Sequence, residues 1–289
     1  MKRLVIISHT EHYIDQNGVV YGLGSTVAEI NHLLDIFDEI QHVAMLHNTE
    51  RPPNTIPYVS DRIKFIPIPA LGGKGLTNKL SILWNAPKVL RIIQTALNKS
   101  DYFQFRAPTG IGVFVIPYLM WFTKKKGWFK YAGNWVQENP PMSYRIQRFL
   151  LKRQKRIVTI NGSWNDQKVH CLTFENPCLT KSELSEGKQL VDLKTKPDKG
   201  VELCFVGRLE DEKGVKVFLE SLIELEGQYS SKIGTIHIVG KGKEETNYKD
   251  LVKASNLDVQ FYGLLSRDQV REVYKRAHFI VLPSASEGF

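Results

Sequence analysis

The chain has 289 residues, 42% of them hydrophobic, and a formal charge of +9. That is enough for about two domains with sizeable cores, and no run reaches the ~18 apolar residues a membrane span needs. Three cysteines (Cys171, Cys178, Cys204), an odd number without CxxC spacing, argue against a disulfide framework or structural zinc and for core thiols.

The apolar part of MKRLVIISHTEH is only Leu4 to Ile7, too short for a signal peptide, so Leu4 to Ser8 reads as a first strand of a cytoplasmic protein. A polar loop with Gly18, Gly22 and Gly24 follows. Ser25 and Thr26 are candidate N-caps for a helix carrying Val27, Ile30, Leu33, Leu34 and Phe37 on one face. Such a loop fits either a ligand-binding turn, where glycine lets a phosphate approach the backbone, or a flexible connector. It does not fit a dinucleotide fingerprint, because the spacing is not GxGxxG.

Val43 to Leu46 and Ile63 to Ile68 predict two further strands, with a helix from about Asn78 to Leu97 that Pro87 kinks or breaks. Then come a strand at Tyr102 to Phe105, an apolar helix over 111–122, a strand at Phe129 to Ala132 and another at Ile157 to Ile160. Gly133, Asn134 and Trp135 sit at the exit of the Phe129–Ala132 strand, and a short helix is expected near Trp164 to Val169. Residues 177–200 mix Lys, Glu, Ser and Thr with Pro and Gly and read as an interdomain linker with one irregular element.

The alternation then restarts. Strands are expected at Val201–Val206, Ile236–Val239, Val259–Tyr262 and Phe279–Leu282, with helices over 215–226, 244–255 and 267–276. The expected class is α/β, with two Rossmann-like doubly wound parallel-sheet domains, 1–176 and 201–289, and a ligand cleft at the carboxyl ends of their strands.

The stretch CFVGRLEDEKG (204–214) is a buried strand, then a loop with Gly207, Arg208 and Lys213, then Gly214 opening a helix. A helix start presents unpaired N–H groups and a positive dipole end, so with two cations the loop is a candidate phosphate site. Taken alone, it fits a pair of solvated loop charges equally well.

Charge is concentrated elsewhere. Between Trp121 and Arg156 lie ten Lys/Arg and one acid, Glu138, leaving 29 bases and 29 acids in the rest of the chain. Trp121, Phe122, Trp128 and Phe129 interleave with Lys124–Lys126 and Lys130. This fits peripheral membrane contact through 121–156, or a core helix with a solvated basic end. Nucleic acid is not expected as a partner, because no RNA-binding or zinc signature accompanies the patch.

Four motifs occur in fixed order: VGRLEDEKG (206–214), IVGKG (238–242), FYGLLSRDQVREVYKRAHFIVLPS (261–284) and SEGF (286–289). Together they resemble the donor half of glycosyltransferase family 4, whose members are retaining enzymes of the GT-B architecture. The resemblance implies transfer of a sugar from a UDP- or GDP-type sugar nucleotide to a glycan or lipid-linked acceptor, in cell-envelope polysaccharide synthesis. It also implies that Arg208 and Lys213 grip the diphosphate, with Gly207, and that Gly240 and Gly242 let the nucleotide lie against the backbone.

By the same resemblance Glu287, flanked by Ser286 and Gly288, is the first acid of a Glu-x7-Glu motif and holds the donor sugar. The catalytic set is then Arg208, Lys213 and Glu287, with Gly22, Gly24 and Asn134 as candidates for an acceptor or phosphate loop. No cofactor is implied, and with no Asp-x-Asp in the chain no metal is implied either.

Two departures from the family pattern are visible. The exit Ala132–Trp135 carries no His where many members have one, and the second Glu of the motif would fall at position 295. The resemblance therefore implies an incomplete second domain. It leaves as alternatives an inactive truncated fragment that binds sugar nucleotide or a membrane partner, and a GT-B nucleotide-sugar epimerase.

Overall fold

The computed structural model describes residues 1–72, 81–165, 167–175, 179–194, 197 and 200–285. They form two compact units, the first built on Met1–Arg51 and Thr55–Cys178, the second on the residues from Leu179 onward.

The first unit is a parallel sheet of β5 (Ile63–Pro69), β3 (Glu39–Leu46), β1 (Arg3–Ile14), β6 (Tyr102–Ala107), β7 (Lys126–Tyr131), β8 (Val158–Ile160) and β9 (Cys171–Thr173), in that order. Strand order reverses at β1 and β6, the topological switch point of a doubly wound sheet. Helix α1 (Gly24–His32) lies on one face. The helices α2 (Ala86–Asn98), α3 (Gly112–Trp121) and α4 (Met142–Arg153) cover the other.

The second unit is a parallel sheet in the order β12 (Val259–Gly263), β11 (Ile233–Val239), β10 (Val201–Val206), β13 (Phe279–Ile280). Leu203, Phe205, Ile236 and Ile238 pack on one side, with Phe218, Leu219 and Leu222 of α6 (Val215–Tyr229) and Tyr248 of α7 (Glu245–Val252). Cys204, Val206 and Val239 alternate to the other side, against Val273 of the helix Arg267–Arg276 and its C-cap Ala277. Strands buried on both faces are why these segments read as continuous apolar runs.

Several expectations are corrected. β1 runs on to Ile14 and pairs antiparallel with β2 (Val20–Leu23), which pairs in turn with β4 (Thr55–Pro57). The expected open glycine loop is therefore a hairpin, with Gly18 at its turn at φ 78°. Neither Ser25 nor Thr26 caps α1, whose N-cap is Leu23 with no side-chain bond. The break expected at Pro87 is present, because residues 81–84 are helical, Asn85 is a turn and α2 restarts at Ala86 with Pro87 in its first turn. The segment 164–169 is not helical among its described residues, and the Trp164 indole N–H instead donates to the Asn161 carbonyl at 3.1 Å.

The expected linker holds a regular helix, α5 (Lys181–Leu193), closed by a full capping box between Thr180 and Glu183. Glu183 also accepts from Arg267 at 2.8 Å, which ties α5 to the helix Arg267–Arg276, named α8 below. Cys171 and Cys204 are buried thiols, as expected, and Cys178 lies outside the described residues.

The α1 face of the first sheet is layered. Leu4, Ile6, Ile40, Tyr102 and Trp128 pack under Ile30 and Phe37. Toward the carboxyl ends of the strands the layer turns polar. Arg106 and Lys130, neighbours in register, both pair with Glu29 of α1, Lys130 at 2.6 Å. All three are buried, so two cations share one carboxylate away from water. Lys130 also lies 4.2 Å from the Phe174 ring centroid.

Beside them a closed hydrogen-bonded ring links Thr10, Ser8, His42, Tyr58 and His12 over 2.5–3.1 Å. A carbonyl only accepts, so His12 Nδ1–H donates to Thr10 O and Nε2 receives the Tyr58 hydroxyl proton. The Tyr58 oxygen then accepts from His42 Nδ1–H, and His42 Nε2 accepts from Ser8. Every proton in the ring is thereby assigned, provided both imidazoles are neutral. Gly22 lies opposite His12 in β2, and a Cβ there would fall 2.5 Å from His12 Nε2. Its lack of a side chain makes room for the imidazole.

Burial lowers the pKa of His9 and of His12 to about 4 and holds that of His42 well below its ordinary value. Unfolded, all three titrate near 6.5. Their contribution is therefore complete above pH 6.5 and is lost as pH falls from 6.5 toward 4. Urea unfolding at a series of pH values should show the first unit weakening over that window, with proton uptake on unfolding approaching three per molecule. Glu29→Gln, which leaves Arg106 and Lys130 without their carboxylate, should cost about 3–5 kcal/mol of stability in the same assay.

Candidate functional site

The second sheet reverses its order at β10 and β13, so the loop Gly207–Gly214 leaves the sheet at a switch point. It is not an open loop. Gly207 N–H donates to Val239 O at 3.0 Å, Leu209 N–H to Lys241 O at 3.1 Å and Glu244 N–H to Leu209 O at 3.1 Å. The loops leaving β10 and β11 thus continue their ladder past the ends of the strands. A Cβ on Gly240 would lie 1.8 Å from Gly207 O, and one on Gly242 2.1 Å from Leu209 O. The space a side chain would fill at these two glycines is occupied by the neighbouring loop of the same unit.

The residues Asp211–Lys213 form a single 3-10 turn, and Gly214 follows at φ 69°, a left-handed conformation that suits glycine. A Cβ there would meet the Pro283 carbonyl oxygen at 2.0 Å. Ala285 N–H donates to Glu212 O at 3.0 Å, so the segment after β13 lies along this turn. Ser286, Glu287 and Gly288 follow it but lie outside the described residues.

Gly214 is the N-cap of α6 and has no side chain to offer. Phe218 N–H is bonded to Gly214 O at 3.1 Å, and helix geometry leaves the N–H groups of Val215, Lys216 and Val217 without an intrahelical acceptor. The first turn holds no acidic residue. Three amides and a fifteen-residue dipole therefore favour an anion at this end.

Arg208 and Lys213 lie on the loop that leads to those amides. Arg208 is 69% exposed at its side chain and pairs with Glu210 at 2.9 Å; Lys213 is half-buried and closes the 3-10 turn. Lys243, from the adjoining loop, pairs with Asp211 at 3.6 Å, and its pKa is raised chiefly by Asp211 and then by Glu244. Lys241 is also on that loop. Reading the sequence missed these two lysines, although they flank Gly242, because nothing in the linear order shows that the two loops are laddered together.

In the first unit, Gly24 begins α1 and Asn134 follows β7, where its Oδ1 accepts from Val136 N–H at 2.9 Å. Gly22 is in β2, with the structural role already described. Both ends of this set lie near carboxyl edges of β1 and β7, where the buried pair Arg106–Lys130 also sits.

A model of the family described as glycosyl transferases group 1 matches residues 190–289. The matched stretch takes in the whole of the second sheet. The loop 207–214, the uncapped start of α6 and the ladder to Gly240–Gly242 all fall within it. An uncharacterized glycosyltransferase of Methanocaldococcus jannaschii is 28% identical over 86 residues, which are 29% of this chain and 22% of that protein. The chain thus matches about a fifth of the length of this curated relative.

Among solved structures, a sucrose-phosphate synthase from Thermosynechococcus elongatus aligns with TM-score 0.69 at 15% identity, over 100% of this chain and 77% of its own. A UDP-forming α,α-trehalose-phosphate synthase from Burkholderia xenovorans aligns with TM-score 0.64 at 10% identity, over 100% and 79%. At such identities the likeness is one of fold, and the fold class is GT-B.

The crowding at the glycines gives a direct test. Gly240→Ala must separate the two laddered loops, so it should destabilise the second unit by more than about 1 kcal/mol. Gly227→Ala, at a helix position with open space around it, should not destabilise it. Urea midpoints of the two variants decide the comparison.

Proposed function

We propose that this chain transfers a sugar from a UDP- or GDP-type nucleotide sugar to a glycan or lipid-linked acceptor, with retention of configuration, in envelope polysaccharide synthesis at the cytoplasmic face. The observation that carries this reading is the start of α6. Three amides without intrahelical acceptors, and no acid among them, follow a loop that holds Arg208 and Lys213 at the switch point of the sheet.

The chemistry fits that arrangement. As the glycosidic bond breaks, negative charge grows on the leaving diphosphate. Donors fixed in advance stabilise that charge without reorganising. In this reading the amides of Val215–Val217 and the side chains of Arg208 and Lys213 receive the diphosphate, and the transfer needs no divalent cation. Arg208 exchanges its contact with Glu210 for a phosphate oxygen. Gly207 keeps the loop entry narrow, and Gly240 and Gly242 hold the second loop against it. Ser286, Glu287 and Gly288 take the hexosyl group, with Glu287 on its hydroxyls. The acceptor enters at the carboxyl edge of the first sheet, where Gly24 and Asn134 lie.

Lys213→Ala should weaken UDP or GDP binding by about tenfold or more in calorimetry, since a charge-assisted hydrogen bond contributes about 1.5–3 kcal/mol. Transfer of label from the nucleotide sugar should fall in step and be insensitive to EDTA. Unchanged nucleotide affinity in the variant would remove the diphosphate from this loop.

A further inference from the structure

Only part of the basic window is a surface: Phe129 and Lys130 are buried and Trp128 packs on the α1 face, while the ends of α3 and α4 stay exposed on the other. α3 and α4 are successive crossovers between parallel strands, so they run side by side from the carboxyl edge of the sheet to its amino edge. The inner side of α4 is fixed by Gln147, buried and bonded to both N–H and carbonyl of Thr109 at 3.2 and 2.8 Å. Its outer side is a helical stripe of exposed Met142, Ile146 and Phe149.

At the foot of that stripe the end of α3 exposes Trp121 and Phe122, 66% and 75% accessible. Arg156 joins the two ends by donating to the carbonyls of Thr123 at 2.7 Å and Met120 at 3.4 Å. Lys124, Lys126, Arg145, Arg153 and Lys155 are exposed around these apolar side chains. Arg153 lies 3.6 Å from the Phe149 ring centroid. Glu138 is the one acid in the window.

Five large apolar groups exposed on one face are costly in water, and the cations around them specify what covers them. A protein interface of this composition would need a matching acidic rim. A nucleic acid would find aromatic faces to stack on but no use for Met142 and Ile146. A bilayer containing anionic lipid meets both demands, because acyl chains take the apolar groups and headgroup phosphates meet the lysines and arginines. We propose that this face seats the protein peripherally on an anionic lipid bilayer. Trp121, Phe122, Ile146 and Phe149 enter the headgroup region. The inference is independent of the chemistry assigned to the start of α6.

Flotation with vesicles tests it. Wild-type protein should float with vesicles of phosphatidylcholine and phosphatidylglycerol, and stay behind with phosphatidylcholine alone or in high salt. The double variant Trp121→Ser/Phe122→Ser should lose about tenfold or more in affinity, as should Lys124→Glu/Lys126→Glu. Val59→Ser, another exposed apolar position, should bind like wild type, with circular dichroism confirming that all are folded. Equal binding to neutral vesicles, no binding by wild type, or undiminished binding by either double variant would overturn the proposal. So would displacement of the protein from vesicles by stoichiometric poly(U), or a dimer in vesicle-free solution that Trp121→Ser/Phe122→Ser abolishes.

Discussion

The second unit depends on a place where two backbones meet with no room for a side chain. Past the ends of β10 and β11 the chain continues its ladder from Gly207 to Leu209 against Gly240 to Gly242. At two glycines a Cβ would fall about 2 Å from a neighbouring carbonyl oxygen, at 1.8 and 2.1 Å. This contact fixes where the β10 loop goes, and so where the 3-10 turn and Gly214 lie. Gly214 in turn rests on the Pro283 carbonyl, so three loops at one sheet edge are positioned by glycine. The uncapped start of α6 is the consequence. A glycine N-cap gives the helix its entry angle but supplies no oxygen, which leaves the first amides to other acceptors.

The first unit solves a different problem at the equivalent edge of its sheet. There the polar groups are buried and mostly satisfied by one another. Glu29 serves two cations, and the ring through His42, Tyr58 and His12 settles its own tautomers. One guanidinium nitrogen of Arg106, Nη1, has no hydrogen-bond partner among the described residues. Such a layer stabilises little and is costly to disturb. The ion pairs also tie α1 to the sheet, because Glu29 reaches Arg106 of β6 and Lys130 of β7 from a single position on the helix. The amino half of the same sheet face, filled by Leu4, Ile6, Ile40 and Ile30, supplies the burial that offsets the cost.

How much of this could be read from the sequence follows from what each signal depends on. The strands of both parallel sheets were legible, since burial on both faces writes them as apolar runs such as Val201–Val206. The donor loop was legible because strand, glycine, cations and helix occur in order within eleven residues. The hairpin β1–β2 was not, because Gly18, Gly22 and Gly24 suggest an open loop, and only the register shows that Gly22 lies opposite His12. Helix α5 was passed over for its polar composition and Gly187, although Thr180-x-x-Glu183 is a capping-box signature visible in the sequence. Lys241 and Lys243 were not legible, since the closeness of their loop to the β10 loop, and of Lys243 to Asp211, is a property of the ladder between loops. Glu29, Arg106 and Lys130 lie 77 and 24 residues apart in sequence and carry no local pattern that links them.

The claim that the start of α6 receives the diphosphate can be tested at the atoms that would make the contact. Backbone amide resonances of Val215, Lys216 and Val217 should shift on titration with UDP or GDP, more than any in the first unit. They should not move with uridine or guanosine, which lack phosphate. Unmoved amides in the presence of bound nucleotide, or equal shifts with the bare nucleoside, would contradict it.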